Sequence, residues 1–327
     1  MRKRKIWENF LQWILPGVLL VIALVLSIYD FNNKMEIAIQ TVVDDQAEQI
    51  GLYYAAGVED KLKALGNITD AVASIMAGRL DRGEAFLNEK LDTLMKASDA
   101  YMVVYCATNG TGFLNDRRQI DMTELNYYDS ILGETPHYLF ARTDGINGQT
   151  AFIYVCPITN SGNVNGYLLS YMEPAEMSDL FENSVYGDRT FFSLVDRNGT
   201  IMACYGATQG TKILQNDFWN SLKEVAESLG SWTLFDRQQQ KGDNGILHVN
   251  ENGVGKILCH FPIADTAWNL VVGIDESYLS GIQQSFRGPI VDLIVKISIS
   301  IAAALIVITV INVLVRIKVS EHSKVLE

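Results

Sequence analysis

Two charge-free apolar runs constrain this chain more than any other feature. Residues 10–29 read FLQWILPGVLLVIALVLSIY, and residues 297–315 read ISISIAAALIVITVINVLV. A bilayer core takes about 20 apolar helical residues at 1.5 Å rise each, and both runs match that length. The first run ends in Ile28-Tyr29-Asp30-Phe31, without the small residues of a cleavage site, so it reads as a retained anchor and not a signal peptide. Arg2, Lys3, Arg4 and Lys5 precede it, while Arg316 and Lys318 follow the second run. The positive-inside rule then places both ends in the cytoplasm and everything from Asp30 to about Gly288 outside it. The expected layout is a stub (1–9), a first span (10–29), an ectodomain, a second span with its approach (289–315) and a short tail (316–327).

Charge narrows the partners. The net charge of −12 argues against nucleic acid, whose phosphates need a basic stripe. No Cys-x-x-Cys or His-x-x-x-His spacing suggests a metal, and no motif suggests a cofactor. Cys106, Cys156, Cys204 and Cys259 lie far apart in apolar runs and read as buried free thiols in strands, with a disulfide as the alternative outside the cytoplasm. NGVGKI at 252–257 lacks the first glycine and the Ser/Thr of a phosphate loop. No Gly-x-Ser-x-Gly, His-Glu-x-x-His or paired-carboxylate arrangement stands out, so the chain reads as non-enzymatic.

Within the ectodomain the apolar period changes twice. From 35 to 76, Ile39, Val43, Ala47, Ile50, Tyr54, Val58, Leu62, Leu65, Ile68, Val72 and Ile75 fall on steps of three or four, the mark of a long amphipathic helix. Gly51, Gly57 and Gly66 are expected to weaken it by about 1 kcal/mol each relative to Ala. A second helix is expected over 84–97, completing a helical segment 30–97. Period two follows, with strands at 101–106, 138–142, 150–157 and 166–172, a polar stretch at 115–131 read as loop and short helix, and a helix at 174–181. A second set has strands at 190–196, 201–205, 245–250, 256–262 and 268–274, a helix at 217–229, and a helical lead at 276–286. Asn-Gly-Thr occurs at 109–111 and again at 198–200, each time after a β-rich run, and YVCPI (154–158) is answered by CHFPI (259–263). The order therefore repeats: two successive modules, distal (98–183) and proximal (184–288), each with an antiparallel sheet.

This order resembles the double Cache family, the extracytoplasmic PAS-like sensor domains of bacterial transmembrane receptors. The likeness is carried by YYDSILGETPHYLFARTDGINGQTAFIYVCPITNSGNVNGYLLSYM in the distal module, and by FFSLVDRNGTIMA and PIADTAWNLVVGIDESYL in the proximal one. It implies an α+β fold: a long N-terminal helix and two tandem PAS-like modules between two transmembrane helices in a bacterial cell membrane. It also implies a small-molecule pocket in the distal module and a proximal module that relays. The amino-acid-binding branch carries Arg-x-Trp-Tyr on the pocket helix and an Asp on the last strand. Here Leu125-Asn126-Tyr127-Tyr128 and Tyr171 stand in those places, which does not support α-amino acid recognition.

The resemblance makes Tyr127 and Tyr128 ligand candidates, the alternative being that they cover the sheet. Tyr138, Arg142, Asp144 and Tyr154 join them. Arg142 would fork a carboxylate on the ligand or pair with Asp144, and Tyr154 would line the pocket or fill the core. A long helix with an apolar face also suits a homodimer. RIKVSEHSKVLE after the second run is too short for an output domain; relatives of this layout often continue into a diguanylate cyclase or a histidine kinase, so the chain reads as a truncated receptor or a stand-alone sensor. The reading of another class is a membrane-anchored interaction or dimerisation module without a small ligand.

Overall fold

The computed structural model describes residues 2–182, 189–206, 213–214, 217–251, 253–276, 292–304, 306–308, 310–311 and 314–315, and of 2–21 and 24 the backbone only. The chain divides into two units, Asp45–Tyr278 and the flanking Met1–Asp44 with Leu279–Glu327.

Helix α1 (Arg2–Met76) carries the expected apolar stripe. Val43, Ala47, Tyr54, Val58, Leu62, Leu65 and Val72 are buried, Ile39, Ile50 and Ile68 are half-buried, and Ile75, in the last turn, is exposed. It stops where Gly78 takes φ +68°, a conformation that an L side chain resists. Helix α2 (Glu84–Ala97) buries Leu87, Leu91 and Leu94. Among the described residues no helix is long and apolar enough to cross a membrane. Much of the expected first span, and residues 305, 309, 312 and 313 of the second, lie outside the described side chains, as does most of the lead 276–286.

The distal sheet comprises β1 (Met102–Ala107), β2 (Thr111–Leu114), β3 (Gln119–Asp121), β4 (His137–Ala141), β5 (Ala151–Asn160) and β6 (Asn163–Met172), in the order β3-β2-β1-β6-β5-β4. Helices α3 (Tyr128–Ile131) and α4 (Ser178–Glu182) are short. The proximal sheet has β7 (Thr190–Asp196), β8 (Ile201–Gly206), β9 (Gly245–Glu251), β10 (Val254–Pro262) and β11 (Trp268–Asp275), in the order β8-β7-β11-β10-β9. Helices α5 (Phe218–Val225) and α6 (Leu229–Lys241) cover one of its faces.

The repeated Asn-Gly-Thr does the same work twice. Gly110 and Gly199 take φ +86° and +87°, and each returns its N–H to the carbonyl three residues back, Ala107 and Asp196.

Four expectations need correction. The stretch 115–131 contains a short edge strand, β3, paired through Gly112↔Ile120. The helix expected over 217–229 ends at Val225, because Ala226 is extended and bridges Val249 of β9; Ser228 then caps α6, which was not expected. Pro157 does not end its strand: β5 runs on to Asn160, since β4 pairs only as far as Val155 and needs no donor from Pro157. None of the four cysteines is in a disulfide, and Cys106, Cys156 and Cys259 are buried, but Cys204, on the edge strand β8, is exposed.

The helix glycines mark where the sheets dock on α1. A Cβ on Gly51 would overlap the Phe261 ring, and one on Gly66 would lie 2.9 Å from the Tyr138 hydroxyl. Gly51→Ala gains about 1 kcal/mol of helix propensity but must displace a buried ring in a packed core, at about 1–3 kcal/mol. Chemical denaturation is expected to show a net loss of stability, whereas the same change on an exposed helix face would stabilise.

Candidate functional site

In the distal module one sheet face is closed by the segment from β3 to α3 and by the loop between β4 and β5. Met102, Val104, Ile153, Val155, Leu169 and Tyr171 present that face. Tyr127, just ahead of α3, drops its ring into this core. Its hydroxyl donates to the Asp144 carbonyl (2.6 Å) and sits 3.2 Å from the Tyr171 hydroxyl.

Asp144 organises the loop. One carboxylate oxygen accepts the N–H groups of Ile146, Asn147 and Gly148 at 2.8–2.9 Å, and the other accepts the Tyr101 hydroxyl at 2.7 Å. Burial alone would raise its pKa, but these hydrogen bonds outweigh burial and hold it below the usual carboxylate value. Burial likewise pushes the Tyr127 phenol up to about 12 and Tyr171 well above its ordinary range, so both stay neutral donors.

The six residues singled out in the sequence thus lie in three places. Tyr127 and Asp144 share the buried network, and Tyr128 is half-buried beside the first hairpin, near Gly110. Tyr138 and Tyr154 stand opposite one another on β4 and β5, on the other sheet face. There Tyr138 donates to the Leu62 carbonyl at 2.9 Å, and Tyr154 to the Asp70 carboxylate at 2.9 and 3.0 Å, which ties the sheet to α1. Arg142 is exposed.

Beside the buried network opens a cleft of about 530 Å³, bounded by Arg118 and Asp121 of the β3 arm, the turn Glu124 to Asn126, and Thr143, Gly145 and Ile146. None of the six lines it, though its walls include the chain neighbours of Tyr127 and Asp144. Arg118 is held at its mouth by Asp116 (2.6 Å) and Asn147 (3.0 Å). In the sequence Asp116-Arg117-Arg118 reads best as an exposed polar loop; that β3 folds back on β2 is what brings Arg118 here. Among the described residues no group of His, Cys, Asp and Glu is placed to hold a metal.

No family model matches the chain, and no curated protein does. Solved structures do. The sensory domain of the Campylobacter jejuni chemoreceptor Tlp3, with isoleucine bound, matches at TM-score 0.57 and 15% identity over 75% of this chain and 98% of that one. The ligand-binding domain of the Pseudomonas fluorescens chemoreceptor CtaA, in complex with L-isoleucine, matches at TM-score 0.57 and 15% identity, covering 75% and 97%. The chain has the fold of these sensory domains. The extracellular domain of rpHK1S-Z16, described as a histidine kinase, shares it at TM-score 0.56 and 14% identity over 74% of this chain and 98% of that one. The resemblance read from the sequence is therefore borne out at the level of the fold. Tyr171, read from the sequence as standing in the place of the amino-acid-binding branch's strand Asp, is fully buried and tied to Tyr127.

Proposed function

We propose that the chain is the sensor part of a two-pass bacterial membrane receptor, which binds an extracytoplasmic small molecule in the distal cleft. The observation that carries this reading is the cleft itself. It combines a size suited to a small metabolite, apolar walls from Ile120, Leu125 and Ile146, and a few polar groups including Arg118. Support for a carboxylate on that molecule comes from Arg118, whose guanidinium lines the cleft while Arg142 does not. Anchoring by the runs 10–29 and 297–315 is supported by their lack of charge and by the exposed apolar side chains of Val25, Leu26, Ile299 and Ile306. A ligand that favours one shape of the distal module would shift a pre-existing equilibrium. The proximal module would pass it to the second span of a homodimer and on to a cyclase or kinase domain.

The rival reading, an interaction or dimerisation module without a small ligand, has one observation in its favour: the Tyr101–Asp144–Tyr127–Tyr171 network already satisfies itself and closes the interior. Thermal unfolding of the detergent-purified chain against a broad set of small metabolites separates the two. The sensor reading expects at least one compound to raise the melting temperature in a saturable way; a set that leaves it flat favours the rival.

A further inference from the structure

We infer that the proximal module carries a second small-molecule site, for a small ammonium compound, at the open edge of its sheet. Strand β9 is that edge, and His260 on β10 pairs with Gly245 on β9. With no side chain at 245, the buried imidazole leans across the edge strand, and a Cβ there would overlap Nε2. The Gln238 Oε1 lies 3.1 Å from the same point. Both ring nitrogens of His260 are shut off from solvent, with the Phe235 backbone as their hydrogen-bonding neighbour.

Immediately outside lies a cleft of about 200 Å³ between α1, α6 and β9, with Glu48, Gln238, Asn244 and Gly245 on its walls. Leu234 and Phe261 supply its apolar surface. A liquid water takes about 30 Å³, so the space suits a molecule of several heavy atoms. The His260 ring is packed edge-on against Phe235 and Trp219, and burial keeps it neutral near neutral pH.

The chemistry of the walls selects the ligand. The Glu48 carboxylate, which takes one hydrogen bond from the Asn244 amide (3.4 Å), and the Gln238 amide oxygen are acceptors, and no basic side chain is among the lining residues. An anion would face Glu48 unpaired. A cation with several N–H donors and a short apolar tail satisfies the acceptors and rests on Leu234 and Phe261. The site is separate from the distal cleft, so its test does not depend on the sensing reading above.

The chain has four histidines, so ¹⁵N-histidine labelling of the full-length protein in detergent gives a readable spectrum, with His260 assigned by its loss in His260→Phe. Titration with methylammonium and ethylammonium is expected to shift the Nε2 resonance of His260 saturably and to raise the unfolding midpoint. Glu48→Gln, folded to the same midpoint without probe, is expected to bind about tenfold more weakly. No saturable shift, or an equal affinity in Glu48→Gln, overturns the proposal. So does an equal response to neutral methylurea. An Nε2 already hydrogen-bonded without probe, and unmoved by either amine, also overturns it and assigns the space to internal water.

Discussion

Asp144→Ala is expected to destabilise the distal module by about 3–5 kcal/mol in chemical denaturation. The carboxylate accepts three backbone N–H groups and the Tyr101 hydroxyl while fully buried. Hydrogen bonds to a charged acceptor are each worth about 1.5–3 kcal/mol. Their sum is an upper bound here, since Asn147 and Gly148 are exposed and water would take over part of the load. Asp144→Asn keeps one acceptor oxygen and the side-chain volume, so it is expected to lose less than half as much. The folded pKa of Asp144 lies below its unfolded value, so this contribution is present above the unfolded carboxylate pKa and fades as pH falls through the folded one. An alanine variant as stable as the parent would mean that the loop around the cleft is held by something other than Asp144.

Acid is expected to weaken the proximal module through His260, in a higher pH window. Burial lowers this imidazole from 6.5 to about 4. The unfolded chain therefore takes up a proton that the folded chain refuses. Stability is complete above pH 6.5, declines as pH falls, and has lost this contribution by about pH 4. A shift of that size corresponds to about 3 kcal/mol. Carboxylates titrate in the lower half of the window, so the informative quantity is the difference between the parent and His260→Phe at each pH from 7 to 4. That difference is expected to grow in favour of the variant by about 3 kcal/mol across the window. A constant difference would mean that His260 is protonated equally easily in both states.

The glycines of α1 show where sequence reasoning stopped. As isolated residues in a helical pattern, Gly51 and Gly66 signal only weakness. Their purpose comes from rings supplied far along the chain, Phe261 against Gly51 and Tyr138 and Tyr154 against Gly66, and no local pattern reports a partner so distant. The disposition of Tyr154 was nearer to hand. Ile153 and Val155 alternate with it, and once those two face the distal core, strand parity sends Tyr154 to α1. Helix α6 was legible too, with Ser228 as its N-cap and Gly242, at φ +75°, as its stop. Its polar run of three glutamines masked the stripe of Trp232, Phe235 and Gln239 that it buries. The buried network around Asp144 was half visible. Tyr127 and Asp144 stood out singly, while Tyr101, just ahead of β1, and Tyr171, on β6, join them only because β1 and β6 are neighbours.

The distal cleft as ligand site is the central claim, and blocking it is the most direct test. Asn126 is exposed and lines the cleft without serving the buried network. Asn126→Trp would fill the space, and, as a surface change, would alter stability by no more than about 0.5 kcal/mol. Calorimetric titration of parent and variant with a compound that raises the parent's melting temperature is expected to show binding to the parent and a loss of about 100-fold or more in the variant, equivalent to about 3 kcal/mol. Equal affinity in a folded Asn126→Trp protein would contradict the assignment and place the ligand elsewhere.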